Sequence, residues 1–306
     1  MDRVRFRLVF GLALSALVLA VGSMAARSFW SEYASFATPG TPPNAEQRER
    51  ARRELPGLSE VSWQSRGNTL RGWFVPGRER AAVVLVHGSG GNRADVLPEL
   101  RILSSAGFSV LAFDWPGQGE STGFPEWDEA ERSALHAGVD WLAARPEVDP
   151  DRIGAYGFSL GGYLLIQEAI GDPRLRAIVA AGTPATMVDH TLNEHRMYGH
   201  GALSAYAALL AMRARGMHPW AQVAADIIPE LAPRPLLVVL GEADTTVPPA
   251  MSRALFAAAR EPKQLLAIPG AGHGAYAQVG QAVYEERLSA FFTSALAARA
   301  GAANHP

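Results

Sequence analysis

The 306-residue chain contains no cysteine. That absence excludes disulfides, thiolate zinc sites and a cysteine nucleophile, and it leaves the redox compartment open. An excess of charge of either sign is also missing: 28 Lys and Arg stand against 30 Asp and Glu, a formal net charge of −2. Nucleic-acid binding, which ordinarily needs a basic face, gains no support from this balance. Charged residues are only 19% of the chain and apolar ones 48%, so a large core can form and little of the sequence reads as disordered. No internal repeat is visible.

What is present begins with an apolar run. Arg3, Arg5 and Arg7 precede Leu8–Ala26, 19 residues without charge, and Arg27 closes it. As a helix the run would measure roughly 28 Å, close to the ~30 Å hydrocarbon core of a bilayer. The preceding arginines would stay cytoplasmic and send the rest of the chain outward. Two expectations follow, a membrane-anchored protein with an uncleaved signal anchor or one exported after cleavage at Ser23-Met24-Ala25. The length of the run favours the anchor. Residues 28–58 read as a linker and charged segment, Ser35–Asn44 being rich in Pro, Gly and Thr and Gln47–Glu54 a solvated helix face. The folded domain is expected over 59–298, with a tail over 299–306.

From Val61 onward short apolar runs alternate with helical ones. Val61–Trp63 and Leu70–Val75 suggest a hairpin turning at Arg66-Gly67-Asn68. Ala81–Val86 is apolar without alternation, the mark of a parallel strand covered on both faces. Further strands are expected at Ser109–Phe113, Ile153–Tyr156, Arg176–Ala181, Leu236–Leu240 and Gln264–Ile268. Helices are expected at Leu97–Ser105, Glu126–Ala144, Leu160–Ile170, Ser252–Ala259 and Tyr284–Ala298. This rhythm implies an α/β fold with a doubly wound, mostly parallel sheet. Thr186–Ala232 interrupts it with helical stretches, Leu203–Met212 among them, and reads as a helical cap insertion.

Gly157-Phe158-Ser159-Leu160-Gly161 follows a strand and opens a helix, the context of a nucleophile elbow. Ser159 would sit in a strained turn with its Oγ exposed, and the crowding there demands glycines on either side. A capping serine in a tight turn is the plain alternative. His87-Gly88-Ser89-Gly90-Gly91 also follows a strand, and the N–H groups of Ser89 and Leu160 are the candidate oxyanion hole. A dinucleotide loop is disfavoured because Arg93 stands where the third glycine belongs. Gly241-Glu242-Ala243-Asp244 and Gly270-Ala271-Gly272-His273-Gly274 follow two later strands at the same sheet edge. His273 would be the base and Asp244 its orienting acid, with Glu242 the alternative acid. Asp114 reads as a turn-stabilising carboxylate and His87 as a structural side chain. His190, His195, His200 and His218 lie in the cap without metal-ligand spacing and read as solvated or capping residues.

Together these residues resemble the α/β-hydrolase superfamily, and within it the lysophospholipase, serine-aminopeptidase-like and BEM46-like members. The carriers are His87–Arg93, Asp114-x-Pro116-Gly117-x-Gly119-x-Ser121, Gly157–Gly162, Gly241–Pro248 and Ile268–Tyr276, in the family's order over about residues 60–296. The resemblance implies a serine esterase cleaving carboxylic, lipid or thioester acyl groups through Ser159, Asp244 and His273, with no cofactor and no metal. Expected partners are a small-molecule or lipid ester and, through the N-terminal helix, a membrane. A peptidase or amidase, or a non-catalytic binding protein of the same fold, are the alternatives.

Overall fold

The computed structural model describes residues 3–35, 39–126, 129–221 and 223–298. The tail expected over 299–306 and residues 36–38 of the linker lie outside the described residues. In chain order the elements are helices α1 (Arg3–Ser35) and α2 (Ala45–Glu54), strands β1 (Ser59–Ser65), β2 (Asn68–Val75) and β3 (Ala82–Val86), helix α3 (Leu97–Ser105) and strand β4 (Ser109–Phe113). Helix α4 (Glu129–Ala143), strand β5 (Ile153–Phe158), helix α5 (Leu160–Gly171) and strand β6 (Leu175–Ala181) follow. Then come helices α6 (Met187–Met197), α7 (Ala202–Ala214) and α8 (Ala224–Ile227), strand β7 (Leu236–Gly241), helix α9 (Pro249–Ala258), strand β8 (Lys263–Ile268) and helices α10 (Tyr276–Val279) and α11 (Gln281–Ala295).

The unbroken apolar run of β3 is explained by burial on both faces. Ala82, Val84 and Val86 share a core with Leu135 and Val139 of α4 and Leu165 of α5. Val83 and Leu85 share another with Leu100 and Leu103 of α3 and Leu288 and Phe292 of α11. Successive residues of a strand point to opposite faces, so a strand between two helical layers has no polar side. All eight strands form one sheet in the order β1-β2-β4-β3-β5-β6-β7-β8. The β1–β2 and β2–β4 pairs are antiparallel and the rest parallel. This is the α/β-hydrolase fold that the sequence leads one to expect.

The opening hairpin closes on Ser65 paired with Asn68, so its turn is Arg66-Gly67 alone. Both turn residues have positive φ, 47° and 79°, as a two-residue turn matching the strand twist requires. Strand order reverses around β3, with β4 on one side and β5 on the other. In open α/β sheets the crevice for ligands lies beyond the carboxyl ends of the strands at such a reversal. The residues that follow β3 and β5 are His87 and Ser159.

Between β6 and β7 the chain forms α6, α7, α8 and a 3₁₀ turn at Ile228–Leu231. Leu209 and Met212 of α7 belong to the same core as Leu160 and Tyr163 of α5, which seats this cap over the elbow. Helix α1 does not stop at Arg27 but continues to Ser35. Its stretch Phe10–Ala34 is long and apolar enough to cross a membrane. The end of α1 packs along α7. Ala25, Ser28, Phe29, Glu32 and Tyr33, spaced three and four apart, are partly covered there. Arg215 fastens the contact: its Nε donates to the Tyr33 carbonyl at 3.1 Å and its guanidinium lies 4.4 Å from the Tyr33 ring centroid.

Candidate active site

Ser159 joins β5 to α5 with φ 54° and ψ −123°. A non-glycine residue in this region stores of order 1–3 kcal/mol of strain, which only the surrounding structure can hold in place. The holding contacts are tight. A Cβ on Gly157 would lie 2.5 Å from Gly162 Cα, and one on Gly161 would lie 2.3 Å from the His87 carbonyl oxygen. Ser159 N–H donates to the Ala181 carbonyl at 2.8 Å, tying the elbow to β6. Leu160 is the first residue of α5, so its N–H has no acceptor within its own helix. Ser89 N–H has no backbone acceptor among the described residues either. Ser89, Ser159 and Leu160 line one cavity.

His273 follows β8 and Asp244 follows β7, neighbours in the sheet. Asp244 Oδ2 lies 2.7 Å from His273 Nδ1, while Oδ1 accepts the N–H groups of Thr246 and Val247 at 2.9 Å each. The Asp244 side chain is 1% exposed. Both carboxylate oxygens are therefore engaged, one fixing the loop and one fixing the ring. With Nδ1–H donated to Asp244, Nε2 carries the lone pair that a general base needs. Phe158 holds the ring from the side, its centroid 4.7 Å from that of His273. The structure gives no hydrogen bond between Ser159 Oγ and His273. Glu242, the alternative acid, instead pairs with Arg253 at 2.9 Å on the surface.

The loop after β3 is braced by His87. Its Nδ1 lies 2.7 Å from the Gly88 carbonyl, and its Nε2 accepts Trp115 N–H at 3.3 Å. Burial pushes the His87 imidazole below its usual range, so it serves as a neutral strut. Asp114 holds the neighbouring turn: it accepts Arg93 N–H at 2.7 Å and Glu120 N–H at 2.9 Å and pairs with the buried Arg93 guanidinium, which also meets Glu120.

The cavity above Ser159 has a volume of about 400 Å³, toward the lower end of the range for small-ligand sites. Met187, Met212 and Met217 form an apolar part of its wall. The rest departs from the sequence-based expectation. His190, His195 and His200 line the cavity, His195 buried and His190 half-buried while His200 stays exposed as expected, and Glu32 of α1 joins them. Burial, and secondarily the neighbouring His273, pushes His190 below its usual range. No local motif marks these residues; their setting arises only when α1, α6 and α7 come together. His218 is not among the cavity residues. Among the described residues no group of three His, Asp or Glu is placed to hold a metal ion.

Comparison with known proteins adds the following. The model of the prolyl oligopeptidase family matches residues 95–299. The uncharacterized protein YfhR of Salmonella typhi is 31% identical over 248 residues, covering 76% of this chain and 80% of its own. The Pyrococcus furiosus esterase Pf2001 superposes with a TM-score of 0.67 at 21% identity, over 84% of this chain and 99% of its own. A bacterial membrane phospholipase A superposes with a TM-score of 0.62 at 18% identity, over 97% of this chain and 100% of its own.

Proposed function

Because this chain belongs to the prolyl oligopeptidase family of α/β-hydrolases, we propose that it is a serine esterase acting on acyl esters at a membrane surface. The observation that carries this reading is the Asp244–His273 hydrogen bond at 2.7 Å, set beside an elbow whose serine opens into a cavity with a partly apolar wall.

In the first step Ser159 Oγ attacks the acyl carbonyl and His273 Nε2 takes its proton. The oxyanion is met by the N–H groups of Ser89 and Leu160, aided by the positive end of α5. The imidazolium, stabilised by Asp244, gives its proton to the departing alkoxide, and the alcohol leaves. Water then attacks the acyl-enzyme, losing a proton to His273. Collapse of the second tetrahedral intermediate releases the carboxylic acid and returns the proton to Ser159. Asp244 orients throughout and stays ionised.

The membrane part of the reading rests on α1. Its exposed residues include Leu12, Leu17 and Leu19, apolar side chains that a bilayer would cover. The docking of Phe29 and Tyr33 on α7 supports a retained anchor over a cleaved leader. The arginines before the run would keep its start cytoplasmic and the catalytic domain on the opposite side. The similarity to the Pyrococcus esterase and to the membrane phospholipase A agrees with this in fold. Amide cleavage would use the same three side chains, and the matching family is named for oligopeptidases; a peptide panel separates the two readings.

The test is hydrolysis of p-nitrophenyl esters of graded chain length by wild type and by Ser159→Ala. Ser159-dependent turnover is expected, with a chain-length optimum set by the cavity. Absence of turnover at every length, or equal turnover in the variant, would overturn the reading.

A further inference from the structure

Helix α1 both carries the apolar run and reaches the cavity that holds Ser159. Along most of its length it is bare: Leu12 is 65% exposed and Leu19 73%. Among its residues with described side chains the last turns are covered, by α7, and from them Glu32 enters the cavity wall. Arg27 ends the uncharged run, and Glu32 lies five residues beyond it, roughly 7.5 Å along the helix axis. The polar layer outside the hydrocarbon adds roughly 5–8 Å on each side of a bilayer. A spanning α1 therefore holds Glu32, and the part of the cavity it lines, at headgroup depth.

Glu32 faces His195 of α6, with Oε1 3.8 Å from Nε2. The His195 side chain is 7% exposed, and its Nδ1 is buried with no hydrogen-bond partner. A buried nitrogen without a partner is costly in a resting fold. One end of the cavity is thus lined by the Glu32 carboxylate with the His195 imidazole beside it, and its apolar side is walled by Met187, Met212 and Met217. Adaptable methionines suit an acyl chain. The carboxylate suits a polar head that brings its own N–H or O–H.

We propose that Glu32 and His195 form a headgroup subsite, in which the anchor helix itself binds the donor-bearing polar head, hydroxyl or ammonium, of a membrane amphiphile whose acyl ester lies at Ser159. This rests on the esterase reading and makes the anchor a part of substrate recognition.

The test uses the full-length protein in vesicles of dialkyl ether phospholipid, which contain no ester to cleave. Three substrates share one acyl chain: the methyl ester, which brings no donor; the 1-monoacylglycerol, which brings hydroxyls; and the 2-aminoethyl ester, which brings an ammonium. The wild type is expected to favour at least one donor-bearing ester by about tenfold or more in kcat/KM over the methyl ester, the scale of a hydrogen bond to a charged group. Preference for the glycerol ester assigns a hydroxylated head, and preference for the aminoethyl ester a cationic one. Glu32→Ala should erase most of that preference and Glu32→Asp should retain part of it. Fluorophosphonate labelling of Ser159 checks that each variant is folded, and His195→Asn is judged by the same criterion if a Glu32 variant fails to label. Equal use of all three esters by a Ser159-dependent wild type, or an unchanged preference in a labelled variant, overturns the subsite alone. No turnover of any ester by the wild type overturns the esterase reading, and the subsite with it.

Discussion

Replacing Asp244 with Asn changes almost nothing in shape and should remove most of the activity. The Asn side-chain oxygen can occupy the place of Oδ1 and keep the two 2.9 Å bonds from Thr246 and Val247. The amide nitrogen then takes the place of Oδ2, 2.7 Å from His273 Nδ1. Two N–H donors cannot share that line, so the ring turns its Nδ1 lone pair toward the amide and carries its proton on Nε2. The base is blocked at the atom that must accept from Ser159. Loss of the correct tautomer in a serine triad lowers kcat by about 10⁴, or about 5.5 kcal/mol at about 1.36 kcal/mol per decade. The assay is ester hydrolysis at saturating substrate beside a thermal melt, since the loop bonds survive and the melting temperature should barely move. Glu242→Gln is the control: its partner Arg253 is 2.9 Å away on the surface, the Glu242 side chain being 45% exposed, and such pairs contribute about 0–1 kcal/mol. Activity within about tenfold of wild type in Asp244→Asn, or a larger loss in Glu242→Gln, would refute the assignment.

Further outcomes follow from the buried charges. Asp114→Ala leaves Arg93, 1% exposed, without its principal partner, and should cost about 3–5 kcal/mol by denaturant titration; a change below about 1 kcal/mol would show that Glu120 alone suffices. Glu99 is buried, and burial pushes its carboxyl above the usual range, offset in part by Tyr284 donating to it at 2.7 Å. The native state therefore keeps this proton at pH values where the unfolded chain has lost it, and stability falls as pH rises from the unfolded value of about 4.3 through the raised native one. Glu99→Gln removes that dependence, so its stability advantage over wild type should widen across this interval; a difference flat with pH would refute the account.

The parts of the site that were legible in the sequence are those fixed by short-range sterics. Gly157 and Gly161 declare a crowded turn because no other residue fits against Gly162 and the His87 carbonyl. Ala82–Val86 declares a doubly covered strand because each face meets its own helices. Boundaries were less legible where pairing decides them. Strand β5 runs on to Phe158 because Phe158 still pairs with Ala181 of β6. Glu126 is not helical, and the described part of helix α4 starts at Glu129; residues 127–128 lie outside the described residues. Least legible were Glu32 and the cap histidines. A lone Glu at the edge of an apolar run and scattered histidines carry no periodic or motif signal. Their common wall exists only after helices about 150 residues apart in sequence have packed together.

The backbone at Ser159 has an evolutionary corollary. A left-handed φ of 54° is a burden to serine that glycine does not share, so an exchange to glycine, which on the proposed mechanism removes the nucleophile, also relaxes the fold. For a protein with only about 5–15 kcal/mol in hand, relief of even the lower bound of that strain is selectable. Decay of function in this scaffold runs downhill in stability, and a copy released from catalysis would drift toward glycine at this position. On the proposed mechanism, a chain that still carries serine there is held to it by demand for its hydroxyl.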